Sequence, residues 1–113
     1  MLTLMTVLRK RPEISTEAFR QFMATEYGPT YAALPQVTEY VQYYLADRAG
    51  DGAEDPIDAI DAIVRISFES EQTMREALAT PEYARAHERR KAYLRDTSAG
   101  IHSAVLEEQV KLV

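Results

Sequence analysis

A chain of 113 residues with 46% hydrophobic and 27% charged side chains has the makeup of one ordinary globular domain, spanning residues 1–113. Its net charge of −5 argues against nucleic acid, because phosphates demand a basic footprint. With no cysteine, the chain itself supplies no disulfide, thiolate nucleophile or thiolate metal site.

The first segment, Leu2 to Leu8, is apolar and rich in β-formers, and reads as a strand. It precedes the basic residues Arg9, Lys10 and Arg11, the reverse of a signal peptide's order. No run approaches the ~20 apolar residues of a membrane span, so a cytoplasmic protein without membrane contact is expected. Ser15 is placed to cap a helix with Glu17 in its first turn, and Phe19, Phe22, Met23 and Tyr27 recur at helical spacing. Gly28-Pro29 should kink or stop that helix, because Pro29 has no amide to donate to Thr25.

Val37 to Leu45 alternates as a second strand. Thr38, Tyr40, Gln42 and Tyr44 share one face; Val37, Glu39, Val41, Tyr43 and Leu45 share the other. An acidic loop follows, Asp47 to Pro56, expected to be mobile and to order over a ligand. Ile60 to Phe68 is the third strand, with Ile60, Ala62, Val64, Ile66 and Phe68 on one apolar face. Ser70 caps a helix carrying Met74, Ala77 and Leu78. Thr80-Pro81 starts another that runs to about Leu94, proline being tolerated at a first helical position. Its basic residues Arg85, Arg89, Arg90 and Lys91, around His87, read as a solvated face. Gly100 releases the chain into a last strand, Ile101 to Val113.

Strand, helix, two strands, helix, strand is the order of a ferredoxin-like α+β fold: one four-stranded antiparallel sheet with helices on one face. The other face would expose Val41, Tyr43, Leu45 and Ile63, too much apolar surface to leave in water. A homodimer packed sheet against sheet resolves this.

The stretches "KRPEISTEAFRQFMATEYGPTYAALPQVTEYVQYYL", "DAIVRISFESEQTMREALATPEY" and "VLEEQVKLV" resemble the EthD family, named for ethyl tert-butyl ether degradation, within the dimeric α+β barrel superfamily. The resemblance implies a dimer joined through its sheets. It also implies scattered chemistry: related barrels isomerise lactones, decarboxylate or cyclise polyketide intermediates, or oxidise aromatics without a cofactor. Where the family commonly carries histidine before Gly-Pro, this chain has Tyr27. A free phenol, with a pKa of about 10, is a poor base at neutral pH but a competent hydrogen-bond donor or acid.

In a related methylisomerase the positions that match Tyr27 and Tyr40 enter one pocket, which makes these two the candidate catalytic residues here. Gln42 and Tyr44 share the strand face of Tyr40, and with Phe22, Met23, Val64 and Ile66 they form the expected substrate walls. His102, near the start of the last strand, is the third catalytic candidate, as an acid or base entering the cleft from the strand end. The same aromatics also fit plain core or interface packing. The histidines share no ligand spacing with each other or with a carboxylate cluster, so neither a metal nor another cofactor is expected. Two functions follow: a cofactor-independent enzyme of isomerase, cyclase, decarboxylase or monooxygenase type acting on a hydrophobic or aromatic carbonyl compound, or a non-catalytic binding or dimerisation protein of the same fold.

Overall fold

A computed structural model describes residues 1–45, 59–96 and 100–113. The acidic loop Asp47 to Pro56 lies outside the described residues. The four strands are β1 (Leu2–Leu8), β2 (Val37–Tyr44), β3 (Ala62–Phe68) and β4 (Ile101–Val105). They form one sheet in the order β2-β3-β1-β4, antiparallel throughout. This is the ferredoxin-like arrangement expected from the order of elements.

Helix α1 (Thr16–Phe22) begins at Ser15, whose hydroxyl accepts the Ala18 amide at 3.1 Å. Helix α3 (Glu71–Leu78) is capped in the same way by Ser70, and α4 (Pro81–Arg90) by Thr80 with Pro81 in its first turn. Each cap satisfies an amide that the helix itself leaves without a partner. The α4 helix ends at Arg90, earlier than expected. Turns carry the chain to Leu94, which bridges Lys10 and is almost fully buried.

The Gly-Pro break is bridged rather than left as a gap. Residues Met23–Tyr27 form a π-helical turn that leads straight into α2 (Gly28–Ala32). The Gly28 amide reaches back five residues to the Met23 carbonyl, so the helix passes Pro29 by widening.

Register divides the sheet residues between two faces. Leu4, Ile66 and Tyr40 form one cross-strand row, and Thr6, Val64 and Gln42 another; both face the helices. Val7, Ile63 and Tyr43 align on the opposite face, as do Met5, Arg65 and Val41. No helix among the described residues covers that side, and Tyr43 is 40% exposed. Val37 departs from the expected alternation: a bulge between Val37 and Glu39 pairs Val37 with Phe68 and packs it against the core.

Both outer limits of the sheet are set by the length of β1. The third strand starts at Ala62, opposite Leu8, and not at Ile60. The last strand ends at Val105 and not at Val113. Leu106 still donates its amide to Thr3 at 2.8 Å, after which β1 has almost no backbone left to pair.

Candidate functional site

A cavity of about 490 Å³ lies between the helix-facing side of the sheet and helices α2, α3 and α4. Its floor is aliphatic and aromatic, with Leu4, Val64, Ile66 and Phe68 at the centre. Thr6 and Ser103 join it from paired positions on β1 and β4, their hydroxyls 2.7 Å apart. Polar groups enter from the helices and from β2: Tyr27, Tyr31, Tyr40, Tyr83, His87 and Arg90.

The π-turn and α2 deliver the first two of these. Tyr27 and Tyr31 are four residues apart and share one helix face. Their ring centroids are 4.8 Å apart. Tyr31 is the hub of the cluster: it stacks on Tyr40 at 5.8 Å and meets Tyr83 edge-on at 5.8 Å. Helix α4 supplies Tyr83, His87 and Arg90 from positions i, i+4 and i+7, one continuous stripe. The Tyr83 hydroxyl lies 2.5 Å from His87 Nε2, either donating or accepting according to the imidazole tautomer. Arg90 is only 8% exposed, and its Nη1 donates to the Tyr27 hydroxyl at 3.4 Å.

Burial controls the protonation of these groups. It pushes the Tyr31 phenol well above its ordinary value, helped by Tyr27 and Tyr83 and opposed by Arg90. Burial also raises Tyr40, partly offset by a hydrogen bond from Gln42, and raises Tyr83 against the pull of Arg90. For His87, burial and then the nearby Arg90 and Lys91 charges lower the imidazole to about 4. At neutral pH these three phenols and the imidazole are therefore uncharged.

This makes stability depend on pH. The imidazole's folded pKa of about 4 lies below its ordinary 6.5, so between these values the unfolded chain binds the extra proton. The His87 contribution is fully present above pH 6.5 and is lost as pH falls toward 4. Thermal unfolding of the wild type and His87→Asn from pH 7.5 to 4.5 should show the wild type losing a few degrees relative to the variant. Parallel curves would contradict the buried neutral imidazole.

Of the residues expected at the site, Tyr27, Tyr40, Val64 and Ile66 line the cavity. Gln42 and Tyr44 stand behind it. Gln42 Nε2 donates to the Met23 carbonyl at 2.9 Å and to the Tyr40 hydroxyl at 3.0 Å, and the Tyr44 hydroxyl donates to Gln42 Oε1. Met23 is fully buried in the core, and Phe22 stacks on Tyr93 at 4.1 Å. Phe22 borders a different groove of about 700 Å³ between α1–α2 and α4, whose rim carries the Glu26–Arg89 ion pair.

The structure does not bring His102 to the cleft. It is exposed opposite Val7 on the face away from the helices, with Nδ1 3.3 Å from Arg9 Nη1. Strand parity decides this, since Ile101 and Ser103 are the neighbours that turn inward. Asp61 accepts the Lys10 amide at 2.9 Å, a structural role. Tyr31 and Tyr83 also line the cavity, and so do His87 and Arg90, which were expected on a solvated helix face. Among the described residues no three metal-ligating side chains come together, and no helix is long and apolar enough to cross a membrane.

The EthD domain matches residues 11–95. This chain belongs to the EthD family. No curated protein sequence matches it. An EthD family protein from Bacillus halodurans superposes with a TM-score of 0.70 at 13% identity, covering 96% of this chain and all of that one. A dimeric ferredoxin-like protein of unknown function from Thermobifida fusca gives 0.70 at 14% identity, covering 93% and 88%. SnoaB, a cofactor-independent oxygenase from Streptomyces nogalater, gives 0.67 at 13% identity, covering 98% and 95%. At these identities the likeness establishes the shared fold.

Proposed function

We propose that this EthD protein is a small cofactor-independent enzyme acting on a hydrophobic or aromatic carbonyl compound, such as a lactone, quinol or polyketide-like intermediate. The observation that carries the reading is the cavity's composition: an apolar floor large enough for a bicyclic or larger ring system, faced by phenols held neutral. Such phenols donate hydrogen bonds to a carbonyl oxygen, or a proton to an oxygen gaining charge. SnoaB, with the same fold, does chemistry of the cofactor-free kind. The dimeric relative and the uncovered sheet face favour a homodimer joined through its sheets.

Binding of 2-naphthamide and 1,4-naphthoquinone, both neutral aromatic carbonyl compounds, tests the site. Each is expected to bind the wild type. Tyr27→Phe and Tyr40→Phe should weaken binding about 3- to 10-fold each, the range of one net hydrogen bond. Both variants should melt within a few degrees of wild type, because the rings still pack, the bond lost from Arg90 to Tyr27 is long, and Gln42 Nε2 keeps the Met23 carbonyl when the Tyr40 hydroxyl is gone. Losses of several degrees in both, with binding unchanged, would make them packing residues and move the protein to the non-catalytic class. Incubation with aromatic lactones and quinols, followed by mass spectrometry, separates an enzyme, which changes them, from a binder, which returns them intact.

A further inference from the structure

Among the described residues Arg90 is the cation that the fold buries. Arg11, Arg65, Arg75, Arg85, Arg89 and Lys91 each pair with a glutamate at the surface. Among the described residues no carboxylate pairs with Arg90, although it is the most buried of these cations and a buried charge has most need of a counter-charge. Its hydrogen bond to the Tyr27 hydroxyl, at 3.4 Å, is long and brings no negative charge. The cavity it borders is lined by no aspartate or glutamate among the described residues. The remaining polar neighbours, Tyr31, Tyr83 and His87, are uncharged groups held so by burial, and with the Tyr27 hydroxyl they donate or exchange hydrogen bonds.

A fixed guanidinium, several hydroxyl donors, no acid and an apolar floor are complementary to one kind of ligand. We infer that the cavity takes its ligand as an anion: an aromatic or polycyclic compound whose ionised oxygen, carboxylate or enolate, rests on Arg90 and the Tyr27 hydroxyl. This rests on the cavity being the ligand site. A guanidinium suits the role because its planar N–H groups meet a carboxylate or enolate oxygen with charge-assisted bonds, stronger than those to a neutral carbonyl. Burial strengthens the attraction further by excluding water from between the charges. The same arrangement would stabilise negative charge gathering on a carbonyl oxygen during a reaction.

Two matched pairs of probes test this by titration calorimetry at pH 7.5 on the full chain. The first sets 2-naphthoate against 2-naphthamide, of equal size and shape but different charge. The second sets 2-hydroxy-1,4-naphthoquinone, ionised as an enolate at this pH, against 1,4-naphthoquinone. The anion of at least one pair is expected to bind about 10-fold or more tightly than its neutral partner. The pair with the larger ratio tells carboxylate from enolate. Arg90→Met should bring that ratio to near one while leaving the neutral compounds bound, and Arg90→Lys should keep part of it. Equal binding within both pairs by the wild type would overturn the inference and leave the cavity reading standing. If no compound binds, the cavity reading itself falls. A preference that survives in Arg90→Met would place the anion elsewhere and also overturn it. Should Arg90→Met fail to fold, the wild-type ratios and the reduced ratio of Arg90→Lys decide the matter.

Discussion

Ile63→Asp is expected to leave no well-behaved dimer: the variant should aggregate or unfold at concentrations where the wild type is expected to be a homodimer. Ile63 lies in the row Val7, Ile63, Tyr43, on the sheet face away from the described helices. A sheet-to-sheet dimer would bury on the order of 2,000 Å² or more in total and place this row inside it. A carboxylate there would lose its water and gain no partner, a cost of about 3–5 kcal/mol in each copy. That is a large share of the ~5–15 kcal/mol that holds a domain folded. Light scattering and thermal unfolding at micromolar concentration check it. A wild-type monomer with an ordinary melting curve, or a variant with unchanged mass and melting point, would show that the face is not an interface.

The framework was legible because its signals are local. Ser15, Ser70 and Thr80 announce their helices through hydrogen bonds made within three residues. Alternation along Ala62–Phe68 reveals which side chains face the helices, because strand parity is strict wherever no bulge interrupts it. The errors arose where non-local pairing overrides the pattern. Val37 changes face through a bulge, and β4 stops at Val105 because β1 runs out, facts about partner strands that neither segment contains.

The site was half legible for a different reason. Tyr27 and Tyr40, reached by resemblance, line the cavity, while a single step of parity leaves His102 outside it. Tyr83, Ala86, His87 and Arg90 occupy i, i+3, i+4 and i+7 of α4, the spacing of a buried helix face. The density of charge around them masked that stripe, and an arginine near the end of a basic run reads as solvated. Only the fold shows that Arg90 turns inward while Arg89 reaches Glu26 at the surface.

Gly28→Ala carries the second large effect, and its sign opposes helix propensity. Gly28 has an ordinary right-handed helical backbone with φ of −59°, where alanine should gain about 1 kcal/mol over glycine. Space decides otherwise. A Cβ at this position would lie 2.6 Å from Gln42 Nε2 and 2.8 Å from the Met23 carbonyl oxygen. That oxygen comes so close because the π-turn makes it the acceptor of Gly28's own amide. Gln42 cannot withdraw freely, since the same Nε2 holds the Met23 carbonyl and the Tyr40 hydroxyl while Oε1 accepts from Tyr44. The methyl group must displace this network or open the turn, and such overpacking costs about 1–3 kcal/mol before the lost hydrogen bonds are added. A net destabilisation of about 1–3 kcal/mol is expected, a drop in Tm of roughly 5–15 °C for a chain of this size. Chemical denaturation of Gly28→Ala measures it, and Gln42→Ala locates it. With the amide gone, part of the clash disappears, so the cost of Gly28→Ala should shrink by about 1 kcal/mol in the double variant. A cost that is strictly additive would place the strain on the Met23 carbonyl alone, whereas a stabilised Gly28→Ala would mean that the widened turn has room for a side chain and that glycine is not required for the passage around Pro29.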